Sequence, residues 1–476
     1  SIMELNSTLI LAGLSLVLLW LFHITKKIKY RLPPGPTGLP LIGNLAQLDR
    51  RAPYKTLESY GPVLTVYLGP QRTVVLVGYD AIKEALVDQG DDFTGRGPFP
   101  FLVKVTRGYG KTRILHNGER WRQLRRFTMT TLRDFGMGRK GMEEWIQGES
   151  RHLVGHMEST DGICALCVVY FIDCNCFRTL RIHLVSCHQT KLRVPVILYS
   201  MYNVFPWVMD RLPGQHQAMF GKIDRIREFI MMKIQEHKET MDPSSPRDYI
   251  DCFLTRLNQE EDNLTTEFHY DNLVSTVLNL FLAGTETTST TLRYALSVLI
   301  KYLNIQEKMQ QEICTVIGKE RCPSMEDRKS LPFTDAVIHE VQRFLDVVPF
   351  SFPHYALKDI SFRGYTIPKD TIIIPLLHSL MREEKQWATP WSFNPQHFLD
   401  QNGNFKKNPA FFPFSAGKRS CAGESLARME LFLFLVSLLQ RFTFSCPGGP
   451  DSVDLSPEHS GFANVPRTYK IIATPC

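Results

Sequence analysis

The chain of 476 residues lacks internal repeats, low-complexity tracts and any extended stretch that is poor in apolar residues. It therefore shows no sign of a repeat architecture or of a long disordered region. It also lacks a G-x-S-x-G motif, a Walker loop, and the patterns of zinc fingers, RNA-recognition domains and basic DNA-binding helices. These absences argue against a nucleophile-elbow hydrolase, a P-loop nucleotidase and a nucleic-acid-binding protein.

Charge and cysteine content narrow the class further. The net charge of +7 suits an anionic membrane surface or an acidic protein partner, and it is too weak to indicate nucleic acid. Eleven cysteines, an odd number in a chain of this length, do not form a disulfide framework and fit a reducing compartment. The apolar content of 43% is sufficient for two or three average domains or for one large one.

The segment Ser7–Thr25 is nearly continuous apolar sequence. As a helix its 19 residues would measure about 28 Å, close to the hydrocarbon thickness of a bilayer. A secretory signal peptide is the alternative, but no small-x-small cleavage site follows, whereas a basic flank does: Lys26, Lys27, Lys29 and Arg31. We therefore predict that residues 1–30 form an uncleaved transmembrane anchor whose C-terminal side stays in the cytosol.

The remaining periodicity is mostly helical. Glu119–Leu132 and Asp271–Tyr302 have a helical period, whereas Leu64–Val77 and Tyr365–Ile374 resemble short strands around turns. Regular alternation of strands and helices is absent from the sequence, which argues against a dinucleotide-binding fold. We predict a mainly α fold with small β-sheets.

The stretch Phe414–Gly423 carries the most chemical information. It presents Cys421 directly ahead of a long apolar helix, Glu424–Phe442. A cysteine at a helix N-terminus lies near the positive end of the dipole, so its thiolate, the form that binds iron, is favoured. An inert structural cysteine would be the better interpretation of Cys421 taken alone.

The residues around this cysteine favour the iron ligand. Gly417 and Gly423 let the backbone approach a flat cofactor, and Arg419 is suited to an anionic group on that cofactor. With Phe414 and Cys421 they match F-x-x-G-x-R-x-C-x-G, which resembles the haem-ligand loop of the cytochrome P450 superfamily. The resemblance implies the cytochrome P450 fold, haem b with Cys421 as its axial thiolate, and a haem-thiolate catalytic domain over residues 31–476.

Further stretches resemble the same superfamily. Ala283–Thr288 places a glycine and several threonines inside a predicted helix, although these residues have low helix propensity. From the residues alone, a solvent-exposed Thr/Glu face of an ordinary helix is the simpler explanation. The resemblance instead implies that Glu286 and Thr287 form the acid–alcohol pair that relays protons to bound dioxygen. Glu340 and Arg343 match the E-x-x-R structural pair, which becomes a triad with His397 in place of the usual arginine.

Haem has two propionates, and their burial requires donors. Trp121 and Arg125 match the family's W-x-x-x-R, while Arg96 and His354 match microsomal segments that carry further donors. Arg419 of the ligand loop is the fifth candidate. The resemblance also implies an apolar substrate pocket, which we assign to six residues: Leu282, Ala283, Val347, Val348, Phe462 and Ala463.

Residues 162–201 depart from the family's pattern. They contain five of the eleven cysteines, and Asp173 is the sole acidic residue between Asp161 and Asp210. The family usually has two amphipathic helices here, and the segment is short for them. A zinc site is disfavoured by the C-x-C spacing, so a mispredicted exon or a frameshift explains the composition better.

The function implied by the resemblance is that of a microsomal, family-two-like enzyme. It would insert one oxygen atom of O2 into a fatty acid, steroid or xenobiotic, with electrons from NADPH–cytochrome P450 reductase and with cytochrome b5 as a second donor. It would lie in the endoplasmic reticulum membrane, with the catalytic domain in the cytosol and its basic face (Arg122, Arg126 and Lys418) towards the reductase. Two alternatives stay open: a degenerate copy that keeps the motifs but has lost activity, and a haem-thiolate isomerase that needs no O2.

Overall fold

The computed structural model describes residues 30–49, 52–107, 117–135, 140–159, 163–164, 201–460 and 463–476, together with residues 13 and 15. Across these ranges, no helix combines the length and the apolar character that a membrane crossing requires. The predicted anchor, Ser7–Thr25, lies outside them except for residues 13 and 15, as does all of 162–201 except residues 163, 164 and 201. The anchor therefore stays a prediction.

Helices dominate the described chain and the strands are short, which confirms the predicted mainly α fold with small sheets. The α-helices are α1 (Pro53–Glu58), α2 (Tyr79–Lys83), α3 (Pro100–Val105), α4 (Gly118–Asp134), α5 (Lys140–Glu158), α6 (Pro206–Met209), α7 (Gln215–Thr240), α8 (Tyr249–Gln259), α9 (Tyr270–Lys301), α10 (Leu303–Val316), α11 (Pro332–Leu345), α12 (Leu377–Leu380) and α13 (Glu424–Arg441). The strands are β1 (Val63–Leu68), β2 (Gln71–Leu76), β3 (Ile163–Cys164), β4 (His354–Tyr355), β5 (Ile360–Phe362), β6 (Tyr365–Ile367), β7 (Ile372–Pro375), β8 (Phe442–Ser445), β9 (Pro457–His459), β10 (Val465–Pro466) and β11 (Ile471–Pro475).

The chain divides into two compact units. The sheet unit comprises Ser1–Gly97, Pro349–Leu380 and Ala416–Arg419; the helical unit comprises Pro98–Val348, Met381–Ser415 and Ser420–Cys476. The sheet unit contains a four-stranded sheet in the order β1-β2-β7-β4. Its β1 and β2 pair antiparallel, and β2 pairs parallel with β7. Most buried positions of β1 and β2 carry β-branched residues, as the Leu64–Val77 pattern predicts.

In the helical unit, α9 packs against α7, α8, α10, α11 and α13. Most of its residues from Leu292 to Ile300 are fully buried in one apolar cluster with α13 and α11, whereas Leu273 to Leu278 belong to a second cluster with α7 and α8. The predicted helices Asp271–Tyr302 and Glu424–Phe442 agree with the observed bounds of α9 and α13 to one residue. Both helices are buried over most of their length, α9 outside its middle and α13 from Met429 to Gln440.

One buried ion pair fixes α11 to the chain that follows it. Arg343 and Glu340 have no solvent exposure, and Arg343 donates from Nε to Glu340 Oε2 and from Nη2 to Glu340 Oε1, both at 2.7 Å. The other guanidinium hydrogens go to the carbonyl oxygens of Met381, Pro390 and Ser392 at 2.7, 2.9 and 3.1 Å. All five N–H groups of the guanidinium therefore have acceptors.

His397 completes this network. Its Nδ1 lies 3.2 Å from both carboxylate oxygens of Glu340, and its Nε2 accepts a hydrogen bond from the backbone N–H of Thr389 at 3.2 Å. Because Nε2 accepts, Nδ1 carries the proton that His397 donates to Glu340. The histidine thus binds Glu340 as a neutral ring. This single hydrogen bond is weaker than the bidentate, charge-assisted contact that an arginine would make.

Replacing Arg343 with Met should lower the free energy of unfolding by about 3–5 kcal/mol, because Glu340 would stay buried without its counter-charge. Thermal or urea unfolding followed by circular dichroism measures the loss. Arg467→Met is the matched control: its pair with Asp454 is half exposed, at 50% and 55%, and its loss should cost less than about 1 kcal/mol. Equal losses in the two variants would contradict a structural role for the buried pair.

Candidate functional site

The predicted ligand loop is held by backbone hydrogen bonding just before α13. The N–H of Cys421 donates to the carbonyl oxygen of Phe414 at 3.0 Å, which closes the loop, and the side chain of Cys421 is exposed. Gly423 is the residue that precedes α13, so the sulfur lies at the positive end of that helix. The loop presents a thiol to a ligand in a position that favours its ionised form.

Arg125 adds a positive charge to this environment. It extends from α4 and donates from Nη2 to the carbonyl oxygen of Ser420 at 2.8 Å, and its guanidinium lies 5.8 Å from the ring centre of Trp121. Burial lowers the pKa of Arg125, and the neighbouring Cys421 thiolate opposes that shift. The same attraction favours the thiolate of Cys421.

In the sheet unit, Gly417 occupies a position that only glycine fits. Its φ is +70°, and a Cβ built on it would lie 1.9 Å from the carbonyl oxygen of Leu86. Any side chain would therefore clash with the backbone at residue 86. This requirement agrees with the glycine of the sequence motif.

Arg96, His354 and Arg419, three of the predicted propionate donors, belong to the sheet unit. Arg96 donates from Nη1 to the carbonyl oxygens of Phe352 and Pro353 at 2.8 and 2.7 Å, and Arg419 donates from Nε to that of Thr94 at 2.9 Å. These bonds fix the direction of each guanidinium. Two cations held in place by backbone carbonyls form a suitable receptor for carboxylates.

His354 is 2% exposed, and its Nδ1 donates to the carbonyl oxygen of Phe93. Among the described residues, no hydrogen-bond partner lies at the buried Nε2. Burial, followed by the charges of Arg96 and Arg419, lowers the pKa of His354 well below its ordinary value. An anionic carboxylate at Nε2 would supply both the missing partner and the counter-charge, so the residue fits a propionate.

The middle of α9 is exposed although both of its flanks are buried. Ala283, Gly284, Glu286 and Thr287 are open on one face, whereas Thr285 and Thr288 on the other face are buried. Thr287 donates from Oγ1 to the carbonyl oxygen of Ala283 at 2.8 Å, the back-bonding that threonine makes in helices. This turn therefore presents a carboxyl group and a hydroxyl group side by side on a helix that is mostly buried.

The predicted pocket residues are only partly brought together. The N–H of Asn464 donates to the carbonyl oxygen of Val347 at 2.8 Å, and its side chain binds Asp346, so Ala463 lies beside the segment after α11. Val347, Val348, Ala463 and Leu282 are half-buried, Ala283 is exposed, and Phe462 lies outside the described residues. Sequence reasoning missed Asn464, which joins the two segments.

Glu430, on α13, was also missed. It is 7% exposed and accepts a hydrogen bond from Oγ1 of Thr288 on α9 at 3.1 Å. Burial raises its pKa to about 8, and the Thr288 hydrogen bond only partly opposes this. Its isolation in the apolar run Met429–Leu439 is the sequence signal that could have identified it.

The buried cluster His237, Asp248 and Asp251 has groups that could bind a metal ion. Its geometry favours an ion-pair network instead. Nδ1 of His237 lies 2.7 Å from Asp251, whereas Nε2, on the opposite side of the ring, lies 3.6 Å from Asp248. Arg247 already pairs with Asp251 at 2.6 Å, so the carboxylate has a cation. One metal ion cannot use both sides of a single imidazole ring.

Comparison with known proteins shows which family the chain is similar to. The family model described as Cytochrome P450 matches residues 33–181 and 188–473. Cytochrome P450 2C23 of Rattus norvegicus is 45% identical, covering 97% of this chain and 96% of its own length. Cytochrome P450 2B4 of Oryctolagus cuniculus and Cytochrome P450 2A13 of Homo sapiens are each 44% identical over 98% of this chain. The family match includes most of the atypical segment 162–201 and omits residues 182–187.

Replacing Glu430 with Gln should remove a pH dependence of stability. The pKa of Glu430 is about 8 in the folded protein, whereas its ordinary value is 4.5. Between these two pH values the folded protein keeps a proton on Glu430 that the unfolded chain has lost. The free energy of unfolding of the parent should therefore fall as the pH rises through this window, and the Gln variant should gain about 3–5 kcal/mol relative to it.

Urea unfolding at a series of pH values measures this difference. Glu261→Gln, the same exchange at an exposed position, is the control and should follow the parent. Parallel curves for Glu430→Gln and the parent would show that Glu430 is ionised in the folded protein.

Proposed function

The chain belongs to the cytochrome P450 family, monooxygenases whose haem is held by a cysteine thiolate, and we propose that Cys421 is that ligand in this protein. The exposed thiol at the start of α13, beside Arg125, is the observation that carries the proposal. The haem, when bound, supplies the activation of O2. Phe414, Gly417 and Gly423 would shape the loop that receives it.

The propionates of the haem are proposed to bind the arginines at positions 96, 125 and 419, together with Trp121 and His354. The carbonyl-held guanidinium groups and the buried Nε2 of His354 support these roles. Charge-assisted hydrogen bonds of this kind are stronger than neutral ones. Burying two carboxylates without such donors would be strongly unfavourable.

Glu286 and Thr287 are proposed to hold and pass the protons that O2 activation consumes. Their exposure in the middle of α9 supports this, because residues 272–278 and 288–300 on either side are buried, whereas a helix face on the protein surface would be exposed along its length. Thr287 holds its hydroxyl group in one direction by bonding to Ala283. A positioned acid and alcohol are the groups that general acid catalysis needs.

The proposed substrate is a small lipophilic molecule: a fatty acid, a steroid or a xenobiotic. The six predicted pocket residues are all apolar, which supports this class. Apolar pockets distinguish substrates that differ by one methylene group by only about 1–3 kcal/mol, so these residues define a class of substrate and no single compound.

Electrons are proposed to come from NADPH through the acidic NADPH–cytochrome P450 reductase, with cytochrome b5 as a second donor. Arg122 and Arg126 are exposed on α4, and Lys418 is exposed in the sheet unit, where it pairs with Asp91. Exposed arginines and lysines steer acidic partners. We also propose that residues 1–30 anchor the protein in the endoplasmic reticulum membrane, since the basic flank follows the apolar segment.

Cys421→Ala should abolish the strongly red-shifted Soret band that a reduced haem-thiolate protein gives with carbon monoxide, because the axial sulfur is lost. Cys314→Ala removes an exposed thiol from α10 and should keep the band. An unchanged band in Cys421→Ala would refute the proposal. If the parent itself gave no such band, the protein would be a degenerate copy.

Thr287→Ala should lower the product formed per NADPH consumed by about tenfold or more, because the positioned hydroxyl group is lost. Ser297→Ala, which removes a buried hydroxyl group bonded to the Tyr294 carbonyl oxygen on the same helix, is the control. Product and NADPH are measured in a reconstituted system with the reductase. If Thr287→Ala formed as much product per NADPH as the parent, Thr287 would have no role in proton delivery. Turnover without NADPH would indicate an isomerase.

A further inference from the structure

His339 lies on α11, directly before Glu340, and is 3% exposed. Three aromatic rings surround it, those of Phe398, Phe405 and Phe411, with centres 4.6–5.3 Å from the imidazole. None of the site roles proposed above uses this residue. A buried histidine among aromatic rings nevertheless needs partners for both ring nitrogens.

The partners of His339 fix its protonation state. Its Nδ1 lies 2.7 Å from the carbonyl oxygen of Asp335, which can only accept, so Nδ1 carries a proton. Its Nε2 lies 2.9 Å from Nη1 of Arg428, which can only donate, so Nε2 must accept. Both contacts require the same neutral ring, protonated at Nδ1.

Arg428 connects this histidine to the ligand loop. It lies on α13 and is also bonded to Glu424 at 3.0 Å. Its guanidinium is 5.2 Å from the ring centre of Phe414 and 5.7 Å from that of Phe411. Phe414 is the residue whose carbonyl oxygen binds the N–H of Cys421. Arg428 therefore packs against the residue that closes the loop.

We propose that neutral His339 is a positioning residue that fixes Arg428 against Phe414 and thereby supports the Cys421 loop. The inference rests on the proposed role of Cys421 as haem ligand. His339 would act through Arg428 and would touch neither haem nor substrate. The loop would then depend on the neutral form of this histidine.

Protonation of His339 would reverse the contact. An N–H at Nε2 would face the N–H of Arg428, so an attraction would become a repulsion between two cations. Three other charged groups lie near this contact. The carboxylate of Asp335 is 3.2 Å from Nδ1 of His339, and Arg328 pairs with that carboxylate. Glu424 pairs with Arg428. Burial raises the pKa of Asp335, but the His339 hydrogen bond and Arg328 bring it below its ordinary value, so a carboxylate is present to stabilise the protonated ring.

Two substitutions of His339 separate the effect of its hydrogen-bond acceptor from the effect of its positive charge. His339→Gln keeps an acceptor for Arg428 and cannot become a cation, whereas His339→Phe fills the aromatic surroundings and removes the acceptor. The readout is the rate at which the reduced, carbon monoxide-bound holoprotein loses its thiolate Soret band, measured at about pH 7.5 and about pH 5.5, on either side of the ordinary imidazole pKa. His216→Gln, at another buried histidine, is the control.

At the lower pH the parent and His216→Gln should lose the band about fivefold faster than His339→Gln, because only His339 can become a cation that faces Arg428. At the higher pH His339→Gln should match the parent, and His339→Phe should already lose the band quickly. Parent-like rates for His339→Gln at both pH values, or for His339→Phe at the higher pH, would overturn the proposal.

If neither variant folds, Arg428→Lys decides, because lysine keeps the charge but loses the planar group over Phe414. It should lose the band faster than the parent at about pH 7.5, and an unchanged rate would overturn the proposal. Absence of the thiolate band in the parent at the higher pH would instead refute the role of Cys421. The two failures are therefore distinguishable.

Discussion

The buried guanidinium of Arg343 is the constraint on which the helical unit depends. A fully desolvated charge is tolerated only when its partners are complete, and Glu340 together with three backbone carbonyls supplies them. Because these acceptors come from α11 and from residues 381–392, the position of that segment is fixed by hydrogen-bond geometry. The same carboxylate receives the backbone N–H of Asn394 and the ring of His397, so the turn at residues 394–398 is fixed as well.

The three helices of the core are joined by polar contacts of the same kind. Thr288 on α9 bonds to Glu430 on α13, and His339 on α11 bonds to Arg428 on α13. Apolar packing supplies most of the burial energy but tolerates small shifts between helices, whereas a buried hydrogen bond has one geometry. Each contact lies close to a residue with a proposed chemical role: Thr288 follows Thr287, and Arg428 packs on Phe414. The side chains that align the helices thus also determine where the ligand loop and the threonine turn lie.

Sequence reasoning located features that are local in the chain. The period of α9, the strand pair at residues 63–76 and the loop around Cys421 each depend on neighbours within a few turns, and their bounds agree with the structure. Glu430 and His339 were not predicted, because their roles depend on contacts between helices. A single sequence does not show which helix faces pack together. For Arg96 the residue type was predicted, but its bonds to the carbonyls of Phe352 and Pro353 join positions 256 and 257 residues apart. The anchor and Phe462 lie outside the described residues and stay predictions.

In the sheet unit, the proposed propionate site would be prepared before its ligand arrives. Arg96 and Arg419 are oriented by backbone carbonyls, so little side-chain freedom is lost when an anion binds them. Burial, followed by the charges of the same two cations, lowers the pKa of His354 and so favours its neutral form. A propionate would oppose both charges and raise the pKa of His354, which would draw a proton onto the ring and turn Nε2 into a donor. Binding of the carboxylate and uptake of the proton would then favour each other, so the histidine would complete the site only when the anion is in place.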